Sequence, residues 1–149
     1  MKILVLHHVE KMWQNSIPFD FVEKVIEHIE GENYDYIIAS TFEDYQSTGY
    51  DELDYYINKI ENWSYAWIVK GYGETKKKHI VKEFGLPKKD IIRVSSQHEF
   101  AYCYDWIKKL KGNEIFVAGG CRYECLLDLE ETLEHLDIPY TTIQELVFG

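Results

Sequence analysis

Ile3-Leu4-Val5-Leu6, directly after Met1-Lys2, is an unbroken apolar run with no polar side chain inside it. A strand with one face in water alternates apolar and polar residues. A continuous run is expected where both faces are covered, as in a parallel sheet carrying helices on each side. Residues 3–6 are therefore read as the first strand of such a sheet. Downstream, Ser16 is placed to cap a helix and Pro18 to sit in its first turn. Phe19, Val22, Ile26 and Ile29 recur at helical spacing, and Gly31 ends the segment.

The alternation continues to the end of the sequence. Residues 34–39 read as a second strand, and Leu53, Tyr56, Ile57 and Ile60 mark a second helix. Residues 65–69 read as a third strand. Gly71-Tyr72-Gly73 leads into a helix with Ile80, Val81 and Phe84, closed by Gly85 with Pro87 beyond. Ile91, Ile92 and Val94 make a fourth strand. Phe100, Cys103, Tyr104, Ile107 and Leu110 line the next helix, and residues 115–118 a fifth strand. Leu126, Leu129, Leu133 and Leu136 mark a last helix, before a strand near residues 140–143. The pattern predicts a three-layer α/β/α fold on an open, mostly parallel six-stranded sheet, with residues 1–149 as one domain.

At 149 residues the chain can bury a core without disulfides or metals. The net charge of −10 sets an average field that repels phosphate, so no nucleic-acid partner is expected. The basic run Lys76-Lys77-Lys78, with Lys82, Lys88 and Lys89, reads as a solvated helix face, with a local phosphate or anion patch as the alternative. Three cysteines, Cys103, Cys121 and Cys125, with no signal-like segment, are expected as reduced thiols of a cytoplasmic protein. No run reaches the roughly 18 apolar residues of a membrane helix, so no membrane association is expected.

Ligands of such sheets bind beyond the carboxyl ends of the strands. Residues 7–13, 93–100 and 118–125 are the strand-to-helix junctions with chemistry in them. The last reads Val117-Ala118-Gly119-Gly120-Cys121-Arg122-Tyr123-Glu124-Cys125-Leu126. Gly119 and Gly120 permit a sharp turn and close approach of a ligand to the backbone. A cysteine at the following helix start meets unpaired N–H groups and a partial positive charge, which favour thiolate. The same N–H groups suit an oxyanion, while Glu124 opposes thiolate formation. Cys125 is the candidate nucleophile, with Cys121 an equally close rival for exposure.

The first junction holds His7 and His8, which point to opposite faces while the strand persists, so only one faces a site at its end. In the third, Arg93 precedes Ser95-Ser96 and Phe100, and Lys70 ahead of Gly71 is a rival cation. Cys121 and Cys125 lack a second matched pair of ligands, and the histidines lack a metal spacing, so no metal is expected. No dinucleotide or P-loop fingerprint is present, and no cofactor is expected.

Taken together, these segments resemble the isochorismatase-like cysteine hydrolases, the superfamily that includes nicotinamidases. In that family a strand ends in Gly, about five residues follow, and Cys starts a helix. Gly119 to Cys125 has that layout, and the helix reaches Asp137 before Ile138-Pro139-Tyr140. Arg93-Val94-Ser95-Ser96-Gln97-His98-Glu99-Phe100 resembles the upstream cation and Ser-x-Phe-like segment. Leu6-His7-His8-Val9-Glu10-Lys11-Met12-Trp13 stands where the family's first strand ends in a catalytic Asp.

The resemblance implies Cys125 as nucleophile, His8 (or His7) in the Asp position as general base, and Arg93 (or Lys70) in the Lys position. Gly119, Gly120, Cys121, Lys70 and Phe100 would line the substrate. The family's His-rich metal motif is absent after the second strand, where Ser40-Thr41-Phe42-Glu43-Asp44 stands. Three functions are open: a hydrolase of a small amide or related C–N or ester bond, an inert member of the fold that binds a small molecule or protein, and a flavodoxin-like nucleotide- or phosphate-binding domain. The family commonly forms homo-oligomers, and the 15% aromatic content is compatible with that.

Overall fold

A computed structural model describes residues 1–41, 47–58, 68–71, 92–95 and 110–149. The elements run β1 (Lys2–His7), a 3-10 turn (Lys11–Trp13), α1 (Phe21–Gly31), β2 (Tyr36–Thr41), α2 (Asp51–Asn58), β3 (Ile68–Gly71), β4 (Ile92–Ser95), β5 (Glu114–Gly119), α3 (Cys125–His135) and β6 (Thr141–Val147). The expected helices over residues 76–84 and 100–109 lie outside the described residues, as do Ile60, Phe100, Cys103 and the lysine run.

The chain is an α/β protein with a parallel sheet. Its body is four strands, with β1 between β2 and β5 and β6 outside β5. The short segments β3 and β4 pair in parallel on the β2 side, giving the order β4-β3-β2-β1-β5-β6.

β1 shows why an unbroken apolar run was required. Leu4 and Leu6 pack in one cluster with Phe21, Val25 and Ile26 of α1, Leu53 and Ile57 of α2, and Ile37 and Ala39 of β2. Ile3 and Val5 pack in a second cluster with Ile38, Ile115, Val117 and Leu126, Leu129 and Leu133 of α3. Alternate residues of one strand thus enter two separate apolar clusters, each containing helix residues.

The ends of several elements differ from the sequence expectation. α1 begins at Phe21 with Asp20 at its N-cap, and no side chain caps it. Ser16 is therefore not a cap. The buried stripe is Phe21, Val25, Ile26 and Ile29, and Phe19, ahead of the helix, is fully exposed. The N-cap lies four residues later than Ser16, which leaves Pro18 and Phe19 ahead of the helix, and the stripe repeats only within the helix. β2 starts at Tyr36, leaving Tyr34 to share a 2.6 Å hydrogen bond with His28 Nε2. β6 is longer than expected, reaching Val147, with an irregular register opposite Val117 and Gly119.

The strand order places the switch point between β1 and β5. From β1 the chain steps through β2, β3 and β4 on one side, then returns to β5 on the other. Connections leaving neighbouring strands in opposite directions open a crevice at their carboxyl ends. The segments leaving β1 and β5 there begin with His8 and Gly120.

Candidate functional site

β1 ends at His7, and His8 leaves it with φ at 57°, a left-handed conformation uncommon outside glycine. That turn breaks the alternation of the strand, and both histidines are buried, with ring centroids 4.3 Å apart and edge-on. Glu10 turns back toward His8. Its Oε2 lies 3.0 Å from His8 Nδ1, and both residues are only 3% exposed. A carboxylate only accepts hydrogen bonds, so His8 Nδ1–H is the donor.

The second wall comes from the loop after β5. Gly119 has φ of +116°, and a Cβ there would be driven into the His7 backbone. Gly120 donates its N–H to the His7 carbonyl at 2.9 Å, and its peptide bond to Cys121 is cis. The Cys121 carbonyl accepts from the N–H groups of Glu124 and Leu126, both at 3.1 Å. Arg122 N–H donates to the Phe148 carbonyl, and Phe148 N–H to that of Gly119, each at 3.0 Å. The loop is thus fastened to β1 on one side and to the end of β6 on the other. Its internal bonds deliver Cys125 as the first residue of α3, where the helix end is partially positive.

Between these walls is a cavity of about 100 Å³ lined by His8, Trp13, Ser16, Cys121, Glu124, Cys125 and Phe148. His8 and Cys125 share one enclosed space, with Cys121 beside them. Cys121 and Cys125 are both of intermediate exposure, and neither is in a disulfide. The cavity is small against the roughly 300–1,000 Å³ of pockets for drug-sized ligands. It suits a small organic group. Trp13 and Phe148 supply aromatic surface to it, and the Trp13 ring stands edge-on to His8 at 6.2 Å.

The remaining sequence candidates fall elsewhere. Gly119 and Gly120 shape the loop, and Gly120 abuts the Phe148 ring, which a Cβ would meet at 2.5 Å. Arg93 lies on β4, opposite Val69, and Lys70 on β3, opposite Val94. In backbone terms Arg93 stands three strand spacings from β1, roughly 14 Å, and Lys70 two, roughly 10 Å. Phe100 lies outside the described residues. Of the pair left open at the first junction, His8 lines the cavity.

Sequence reasoning assigns no role to Glu10, Trp13 or Phe148. Glu10 carries a signal only in hindsight, a carboxylate two residues past a histidine at a strand end. Phe148 carries none, because its placement depends on β6 pairing with β5.

A second, open depression of about 710 Å³ is lined by Glu130, Glu134, Asp137, Tyr140, Thr142 and neighbours. Two of its three acids are engaged within it: Tyr140 donates to Glu134 and Thr142 to Glu130, each at 2.7 Å. Among the described residues no group of three or more His, Cys, Asp or Glu is placed to hold a metal. No helix there is long and apolar enough to cross a membrane.

Compared with known proteins, the chain matches no family model, no curated protein and no solved structure.

Proposed function

We propose that the chain is a cysteine-dependent hydrolase of a small amide or related C–N or ester bond, a divergent relative of the isochorismatase-like hydrolases. The observation that carries this reading is that Cys125, at the start of α3, and His8 line one cavity at the switch point of the sheet. With it we read the fold as three layers on a six-stranded sheet, residues 1–149 forming one domain in the cytoplasm.

In this reading His8 takes the proton of the Cys125 thiol, and the thiolate adds to the substrate carbonyl carbon. The oxyanion is held by backbone N–H groups of the loop after β5. The tetrahedral adduct collapses with cleavage of the C–N bond, and His8 returns its proton to the leaving amine. Water, deprotonated by His8, then attacks the thioester. The C–S bond breaks, the acid leaves, and the thiolate recovers the proton.

The second reading, an inert small-molecule binder, draws on the backbone positions of Arg93 and Lys70, strands away from β1 and β5. A nucleotide-binding role gains least, because the cavity is small. Residue-resolved alkylation by iodoacetamide at neutral pH separates the first two. A hydrolase requires Cys125 to react faster than free cysteine, with Cys125→Ala abolishing turnover of small amides while the protein stays folded. A Cys125 no faster than free cysteine would sink the hydrolase reading.

A further inference from the structure

We infer that Glu10 is a positioning residue that holds His8 in the Nδ1–H tautomer and so presents Nε2, the unprotonated nitrogen, as the base of the cavity. The inference rests on the cysteine-hydrolase reading for its purpose, but its geometry stands independently. Glu10 is a carboxylate 3% exposed, and carboxylates are almost never so deeply buried unless paired. Its oxygen sits 3.0 Å from His8 Nδ1, on the ring edge opposite Nε2.

A buried pair of this kind is a poor device for stability alone. Desolvation of both groups offsets much of their attraction, and an apolar pair of similar volume often serves the fold as well. What it supplies is orientation. An imidazole has two nitrogens, and only one can be the base at a given moment. A fixed acceptor at one nitrogen selects the tautomer and the ring angle. The left-handed backbone at His8 and the extended backbone at Glu10 bring the two together only two residues apart. The resemblance implied a cation as the third member of the site. Here the third member is an anion behind the histidine.

Among the described residues, several groups face the ring or share its cavity. Glu10 faces Nδ1, the His7 ring stands edge-on at 4.3 Å, and Cys121, Glu124 and Cys125 line the same cavity. Any pH profile read at Cys125 reflects these together.

The test has two readouts on the intact protein. Long-range ¹H–¹⁵N NMR of ring-labelled histidine, with His8 assigned from a His8→Gln variant, reports the tautomer. Iodoacetamide alkylation of Cys125 as a function of pH reports the base. The wild-type His8 signal is expected in the Nδ1–H form. In Glu10→Gln it becomes a mixture, Cys125 alkylation near neutral pH falls about 10-fold or more, and the pH profile changes shape. Glu10→Asp is expected to restore part of both.

A wild-type His8 protonated on Nε2 overturns the inference without any variant. So does an unchanged tautomer and profile in a folded Glu10→Gln. The two failures are distinguishable. An inert Cys125 beside an Nδ1–H His8 removes the hydrolase reading and leaves the hold of Glu10 on the ring standing.

Discussion

Gly120 donates its backbone N–H to the carbonyl oxygen of His7 at 2.9 Å, and this bond joins the two segments that carry the candidate base and thiol. It forms because Gly119, in register with His7, turns at φ of +116°. A side chain at 119 is excluded twice, by the backbone angle and by the His7 backbone against it. Gly119→Ala is therefore expected to destabilise by at least about 2 kcal/mol. Gly120→Ala meets the Phe148 ring first and is expected to cost about 1–3 kcal/mol as local overpacking. Urea midpoints of the two variants provide the check, with the larger loss at 119.

Leu133 is fully buried in the cluster between α3 and the sheet, whereas Leu127 on the same helix is 39% exposed. Leu133→Ala is expected to cost about 2–5 kcal/mol, from lost burial and the cavity left behind. Leu127→Ala should stay within roughly 0.5 kcal/mol. Chemical denaturation of the pair tests whether α3 docks by the face assigned to it.

Asp54 anchors the entry to α2. Its carboxylate accepts from Thr48 N–H at 2.8 Å, Thr48 Oγ at 2.7 Å and Ser47 Oγ at 2.5 Å. Asp54→Ala removes the acceptor of all three bonds and is expected to cost about 1–2 kcal/mol. Thr48→Val in the same background should add less than it does alone, since the two share these bonds. A double-mutant cycle on urea midpoints reads the difference.

Stability is expected to fall as pH rises past about 10. Burial pushes the phenol pKa values of Tyr34, Tyr50 and Tyr140 upward. The charges of Glu32 and Glu114 add to this at Tyr34, and the hydrogen bond and charge of Glu134, with Glu130, at Tyr140. Unfolded phenols ionise near pH 10. A raised folded value means the contribution is fully present below about pH 10 and is lost as pH climbs toward the folded value. Urea midpoints between pH 8 and 11.5 should decline, and Tyr34→Phe should flatten that decline even though it loses its bond to His28. A slope unchanged by the substitution would assign the loss to other groups. Glu32 works at the opposite end. Lys2 holds its carboxyl below the usual range, so that contribution is present above about pH 4.5 and lost on acidification.

The strands were legible because burial on both faces leaves a continuous apolar run, and residues 3–6 and 115–118 follow that rule without exception. The place of Cys125 at the start of α3 was legible because glycines after a strand and a cysteine before a leucine-rich helix form a local pattern. The neighbours of a strand are not local. That β5 returns beside β1 is written in no single segment, so spacing and composition do not bring His8 and Cys125 together; only the family resemblance paired them. Phe19 misled for a different reason. It fits the helical period, but the backbone becomes helical only at Phe21, and periodicity has no meaning ahead of that point. Glu10 escaped because its partner is reached through the left-handed turn at His8, which histidine does not advertise.

For the proposed hydrolase, the register of His7 against Gly119 decides when the thiol gains its base. His8 and Cys125 come from segments near opposite ends of the sequence, joined across one pair of strands. Until β1 and β5 have docked, the thiol has no base beside it and no enclosing wall. On the hydrolase reading, a chain in which β1 and β5 have not docked would carry an ordinary cysteine, and the proposed chemistry would begin only once they pair.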